Sequence, residues 1–334
     1  MSAGALHYSD LVLTAYRRLL VVAVAAQISA AGCDTIGGEG CDPCGDNFVV
    51  NTDIWGSPDG ELFIAGYRGQ NGLVRRLETG NWVTLYQGGY PLANIWGQSS
   101  QDFFVSGGFN GTTVQRYLGG EWQAWDLGES FRESEPNGGQ GRALWGMASD
   151  DVFLAGSLGI ILHFDGTSWQ PMSSPTQARL TALWGTAHDN VLAVGEQGTV
   201  LRYDGTAWSI LPTPTQASLR AVWGSSPDNV FIVGEVMSEV SHVILRFDGT
   251  SVTTVHEGET ALLGIHGASA DRVYAVGAKR TGDSISAGVF RFDGTSWSEQ
   301  SIGVHEFLWD VWVNPDGSYT AVGPDDTIFQ QPAQ

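Results

Sequence analysis

Lysine is almost absent from this chain: one residue in 334, Lys279. Lysine and arginine together number 16 against 36 acidic residues, a formal net charge of −20. With no basic patch to neutralise phosphates, nucleic acid is excluded as an expected partner. Such acidity favours solubility and does not point to a fold. Cysteine is equally scarce. Cys33, Cys41 and Cys44 all lie near the N-terminus, so no disulfide framework can hold the rest of the chain. No segment of the repeats described below keeps the 3.6-residue spacing of an amphipathic helix. The apolar run from Leu19 to Ile28, broken at Gln27, is too short to span a bilayer comfortably. HExxH, GxSxG, P-loop and dinucleotide-binding patterns are missing. The seven histidines (His7, His163, His188, His242, His256, His266, His305) are scattered. In His256-Glu257 and His305-Glu306 the neighbours would point to opposite faces of a strand.

Glycine (45 residues) and tryptophan (13) are plentiful, and both recur in register. The stretch LWGTAHDNVLAVGEQGTVLRYDGTAWSIL (183–211) holds four apolar runs of about five residues, the usual strand length. They are separated by Asp189-Asn190, Glu196-Gln197-Gly198 and the hairpin signal Asp204-Gly205. The unit reads as a four-stranded antiparallel meander, strands a to d. Strand a ends on Ile54-Trp55-Gly56, Ile95-Trp96-Gly97, Leu144-Trp145-Gly146, Leu183-Trp184-Gly185 and Val222-Trp223-Gly224. Two divergent copies follow, Ile265-His266-Gly267 and Val311-Trp312-Val313, and His266 reads as divergence from the repeat tryptophan. Strand b recurs seven times, from LFIAG (62–66) through VLAVG (191–195) to YTAVG (319–323). A period of 39 to 49 residues with four strands per unit predicts an all-β, seven-bladed β-propeller with four antiparallel strands per blade. One such sheet cannot bury both of its faces; seven packed radially can, with the tryptophans between blades.

The seventh unit ends after strand c, near Thr327 to Gln330. Asp46-Asn47-Phe48-Val49-Val50 matches Gly80-Asn81-Trp82-Val83-Thr84 in spacing. That match predicts an N-terminal strand completing the last blade as its strand d, leaving the ring no open edge. The propeller then covers residues 46–330 and residues 331–334 form a tail.

In WGTAHDNVLAVG and GTVLRYDGTAW the repeats resemble the WD40/YVTN/BNR-like repeat propellers, and within them arrays in predicted bacterial (myxobacterial-type) propeller lipoproteins. The resemblance implies the fold. It implies no single function, because propellers host many. FDGTSW (164–169, 292–297) is similar to the Asp-box of sialidases, yet its leading Ser-x-Asp is absent and no sialidase active site maps onto the chain. Asp-Gly-Thr is therefore read as a turn.

Residues 1–32 read as an export signal of lipoprotein type: Arg17-Arg18, the apolar core, then Ser29-Ala30-Ala31-Gly32 before Cys33. Those small residues resemble a bacterial lipobox, with Ala30 where leucine is commoner; the resemblance implies acylation of Cys33. A plain signal peptide and an uncleaved anchor are the alternatives, and the true start can lie downstream of Met1. If Cys33 is acylated, Cys41 and Cys44 remain, in an exported chain most simply a local disulfide, with a metal site or free thiols as alternatives. Residues 33–45 then tether an extracytoplasmic propeller to a membrane of the cell envelope, and several acyl chains would anchor it firmly. Asp34 leaves open which bacterial membrane that is.

Alternating strand directions put the a–b and c–d turns on one face of the ring and the b–c and d–a connections on the other. The first face is repetitive and reads as structural. The insertions fall on the second, where function tends to sit on loops held by a rigid scaffold. Its binding candidates are Tyr67, Arg68, Phe109, Asn110, Phe131, Arg132, Arg142, Arg220, His242, Lys279 and Arg280. Asp53, Asn94, Arg142, Arg220 and Asp310 are expected to ring the channel mouth. A cationic column (Arg76, Arg116, Arg202, Arg246, Arg291, with His163 in the third blade) is expected to stack on tryptophans or pair with turn aspartates of neighbouring blades. Calcium at Asp150-Asp151 or Asp325-Asp326 has no EF-type spacing behind it. The expectation is a non-catalytic, membrane-anchored monomer that binds a protein or envelope partner, without cofactor or metal. The alternatives are a surface lectin whose Tyr67, Tyr90, Phe109 and Phe131 stack on glycans, and a hydrolase or lyase with its site at the channel mouth. A site assembled from several blades leaves no local motif.

Overall fold

The computed structural model describes residues 48–108, 112–127, 141–236, 241–281 and 284–333. These residues form seven antiparallel sheets, arranged as the blades of a β-propeller. Blade one consists of Val49–Gly56, Leu62–Arg68, Asn71–Glu78 and Asn81–Gly88, hydrogen-bonded in chain order. The same a-b-c-d order recurs in residues 92–126, 141–172, 180–210, 218–258 and 260–300. Among the described residues the only helix is a three-residue 3-10 turn, Ser157–Gly159.

Strand b of each blade is the core. In Asp151–Gly156, Val152, Phe153, Leu154 and Ala155 are all fully buried. Successive side chains of a strand point to opposite faces. Phe153 and Ala155 accordingly pack with Leu183, Leu201, Tyr203 and Trp208 of the fourth blade, while Val152 and Leu154 pack with Phe104 and Val114 of the second. Each large apolar side chain so buried contributes about 1.5–3 kcal/mol. Strand b is therefore continuously apolar because it faces a neighbouring blade on both sides. Its closing glycine has a steric cause. A Cβ at Gly66, Gly107, Gly195, Gly234 or Gly277 would sit 1.8–2.6 Å from a carbonyl oxygen at or just before the start of strand a.

The recurring Trp-Gly pair is also a contact, made between blades. A Cβ on Gly146, Gly185, Gly224, Gly267 or Gly56 would approach within 2.2–2.7 Å the ring of Trp96, Trp145, Trp184, Trp223 or Trp312, each from the preceding blade. The junction between blades six and seven departs on both sides at once: His266 stands for the tryptophan and a buried Val313 for the glycine. The smaller imidazole leaves room for the valine. Its Nδ1 accepts the Val313 N–H at 3.1 Å, and the ring stacks on Trp312 at 3.9 Å. Burial lowers the His266 pKa to about 3, so the ring is neutral at physiological pH.

Ring closure corrects the sequence-based expectation. Phe48 to Val50 do not supply a fourth strand to the last blade. Val49 and Val50 belong to the innermost strand of blade one, opposite Arg68 and Tyr67. The seventh sheet has three strands among the described residues, Asp310–Val313, Tyr319–Val322 and Ile328–Gln331. The spacing match to Trp82 misled because Val49–Gly56 runs unbroken, with no turn to carry its start to another blade. The ring closes through a polar seam instead. Asn51 N–H donates to Gly323 C=O (3.2 Å), and Asp326 N–H donates to Val49 C=O (3.0 Å). Asn51 sits where five of the other six blades bury a leucine: Leu92, Leu180, Leu219, Leu262 and Leu308. Its amide donates to Thr327 C=O (3.2 Å), and the buried Arg75 guanidinium bridges Asn51 Oδ1 and Asp326 Oδ1, the latter at 2.7 Å.

Candidate functional site

The face carrying the b–c and d–a connections is uneven. In blades three and four strand b stops at Gly156 and Gly195, after six residues. In blade one it runs to Arg68, in blade five to Val236 and in blade six to Thr281, where it is ten residues long. These hairpins extend the ring on one side only. Tyr67 and Arg68 lie at the end of the first, half-buried. Tyr90, in a d–a connection, is 58% exposed. Arg220 is bound by Glu235, its Nε donating at 2.8 Å, and Lys279 Nζ lies 2.5 Å from Glu299 Oε1. Arg280 pairs through its backbone with Ile285 in the sixth hairpin. His242 is not presented to a partner: it is 1% exposed. Its Nδ1 lies 2.8 Å from Thr260 C=O and its Nε2 3.0 Å from His256 Nδ1, and burial holds its pKa down at about 4. Phe109, Asn110, Phe131, Arg132, Cys33, Cys41 and Cys44 lie outside the described residues, as does the Arg142 side chain.

Two residues expected at the channel mouth reach sideways between blades. Asp53 Oδ2 accepts the Ile95 N–H of blade two at 2.8 Å, and Asp310 Oδ2 accepts the Ile54 N–H of blade one at 3.3 Å. The two carboxyls also share a hydrogen bond. Burial, then the negative charge of Asp53, pushes the Asp310 pKa well above the carboxylate range; burial also raises Asp53. A hydrogen bond between two carboxyls needs one proton, and the raised pKa of both members favours keeping one on the pair. Lone pairs committed to backbone N–H groups fit a seam that joins blades, and no water or substrate position is needed to explain the pair.

The opposite face is built from turns. Asp165 Oδ1 accepts the Thr167 and Ser168 N–H groups at 2.9 Å, and Asp204, Asp248 and Asp293 repeat the pattern. These bonds hold all four carboxyls below their ordinary pKa. The cationic column differs in detail from its expectation. Arg116, Arg202 and Arg246 lie over phenylalanine rings, Phe104, Phe247 and Phe231, at 5.2–6.0 Å. Arg116 also forks onto Asp102 of its own blade at 2.7 and 2.8 Å, and Ser149 of the next blade donates to the same carboxylate at 2.5 Å. One junction further on, His163, Asp151 and His188 occupy those three positions. His163 Nε2 lies 2.6 Å and His188 Nδ1 2.8 Å from Asp151 Oδ1. This convergence falls on the face read from sequence as structural. Its one sequence signal is His163 breaking the arginine column. Between the outer strands of blades five and six lies a cleft of about 290 Å³ lined by Arg246, His256, Phe292 and Trp297.

No protein-family model matches the chain, and neither does any curated protein. Several solved structures are similar to it over most of their length. One is YCF48 bound to D1 peptide, at 12% identity and a TM-score of 0.61, covering 86% of this chain and 94% of that one. A second is the WD40 β-propeller domain of Doa1, at 11% identity and a TM-score of 0.63, covering 86% and 94%. A third is virginiamycin B lyase from Staphylococcus aureus, at 11% identity and a TM-score of 0.61, covering 85% and 94%. At such identities the likeness is one of fold.

Proposed function

We propose that this chain is a non-catalytic binding platform that engages a protein or peptide partner through its b–c and d–a face. The observation that carries the reading is the one-sided lengthening of the blades. The a–b turns are short and four c–d turns are closed on themselves by aspartate–backbone bonds, whereas hairpins one, five and six grow outward on the other face. A propeller fold shared with a protein solved in complex with a peptide agrees with it. The same proposal includes acylation of Cys33 and display of the ring outside the cytoplasm, on the strength of the N-terminal pattern.

A photo-crosslinking amino acid placed singly at exposed positions tests the face. Gln70 and Tyr90 lie on the proposed binding side; Thr167 and Thr206 lie in c–d turns on the other. The expected result is one partner adduct from positions 70 and 90 and none from 167 and 206. The reverse pattern refutes the assignment.

A further inference from the structure

The junction between blades three and four holds a group of side chains that the binding reading does not use. Asp151 opens strand b of blade three, His163 lies on the neighbouring strand c opposite Phe153, and His188 comes from the a–b turn of blade four. One donor atom from each lies within 4.8 Å of the other two, and His163 Nε2 and His188 Nδ1 both point at Asp151 Oδ1. Both imidazoles are fixed by packing. The His163 ring contacts Phe153 at 4.7 Å, and the His188 ring meets Tyr203 edge-on at 5.9 Å. Asp151 and His163 are mostly buried, with side chains 17% and 22% exposed, while His188 is 51% exposed and leaves the group open on its solvent side.

The preceding junction shows what this position does when it is only a latch. There a permanent cation, Arg116, forks onto Asp102, and the hydroxyl of Ser149 completes it. At the third blade both partners of the aspartate are imidazoles directed at one oxygen, and neither carries an obligatory charge. Asp165 lies close enough to His163 to interact electrostatically, and Asp151 and Asp204 both act on Tyr203, so the surroundings are acidic. Two imidazole nitrogens and one carboxylate oxygen suit zinc and its first-row neighbours, whereas calcium and magnesium demand oxygen ligands. Ligand bonds of about 2.0–2.1 Å place tetrahedral donors about 3.3 Å apart. The observed 2.6 and 2.8 Å contacts need to open by about 0.5–0.7 Å to reach that spacing.

We propose that His163, His188 and Asp151 bind a divalent transition-metal ion of the zinc class, which pins blade three to blade four and keeps at least one coordination position open to solvent. Such an ion would add to the ring a ligand-dependent stability that the Arg116 latch supplies without metal.

The test is titration of the full chain, carrying Cys41→Ser and Cys44→Ser so that the paired cysteines cannot contribute, with Zn²⁺ by calorimetry and Co²⁺ by visible absorption. His163→Arg restores the residue of the equivalent slot, so it keeps the latch and the fold; His188→Ala removes the exposed ligand. The expected result is one equivalent bound by the parent. Affinity should fall more than about tenfold in each variant, because even outer-shell partners of metal ligands are worth 10–100-fold. Zinc should raise the melting temperature of the parent only. Absence of saturable binding by the parent, or equal affinity in parent and both variants, overturns the proposal.

Discussion

Exchanging His266 and Val313 for the repeat residues tests how the blades are coupled. At five junctions a tryptophan lies where the next blade has room only for glycine, with 2.2–2.7 Å separating the ring from a hypothetical Cβ. Normal carbon–carbon contacts are about 3.5–4.0 Å. His266→Trp alone would drive its ring into the Val313 side chain, overpacking that costs about 1–3 kcal/mol. It also removes the acceptor of the Val313 N–H, and an orphaned donor adds about 1–3 kcal/mol. Val313→Gly alone removes a valine that is 2% exposed, worth about 1.5–3 kcal/mol, and adds about 0.5–1 kcal/mol for glycine in a strand. In the double variant the indole takes the space the valine vacates, as at the other junctions. Urea denaturation of the parent, both single variants and the double should give a coupling energy of about 1–3 kcal/mol in favour of the double. It should remain less stable than the parent, because the N–H at position 313 still lacks its imidazole acceptor. Effects that add within about 0.5 kcal/mol would refute the claim that the two departures form one contact.

Two further outcomes are expected. Asp310 keeps its proton in the folded ring above the pH at which the unfolded chain releases it. Stability is then fully present below the unfolded pKa near 3.8 and falls by about 1.4 kcal/mol per pH unit as pH rises toward the folded pKa. Asp310→Asn can still donate to Asp53 and accept from Ile54, so it should remove that slope above the unfolded pKa at little cost; an unchanged slope in paired denaturation series would sink this. Gly264→Ala would put a Cβ 2.7 Å from both Cα and Oδ1 of Asp310 and should cost about 1–3 kcal/mol, whereas Gly303, with nothing within 4 Å, should tolerate alanine. Equal urea midpoints for the two alanine variants would contradict the packing argument.

The sequence exposed some of this molecule because each blade repeats the same local problem. The Asp-Gly turns, the strand b glycines and the unbroken apolar runs are legible, since each is a local solution copied several times. The His163, Asp151 and His188 group was not legible. One member lies in strand c, one at the start of strand b and one in a turn of the next blade, and the turns were read as structural because they looked alike. The candidate face fared unevenly: Tyr90 is exposed, His242 is buried among aromatic residues, and Lys279 and Arg220 are held by glutamates.

What the sequence determined by itself is the number of blades and the order of strands within them. Those follow from period, turn chemistry and the need to bury both faces of every sheet. Only the tertiary structure decided which residues meet across a junction. His266 with Val313, Asn51 and Arg75 with Asp326, and Asp53 with Asp310 are paired by radial packing between blades. The last two pairs also join residues from opposite ends of the chain. Spacing along the chain carries no record of such contacts, and it misassigned Phe48–Val50 because a matching interval cannot tell an outer strand from the start of an inner one.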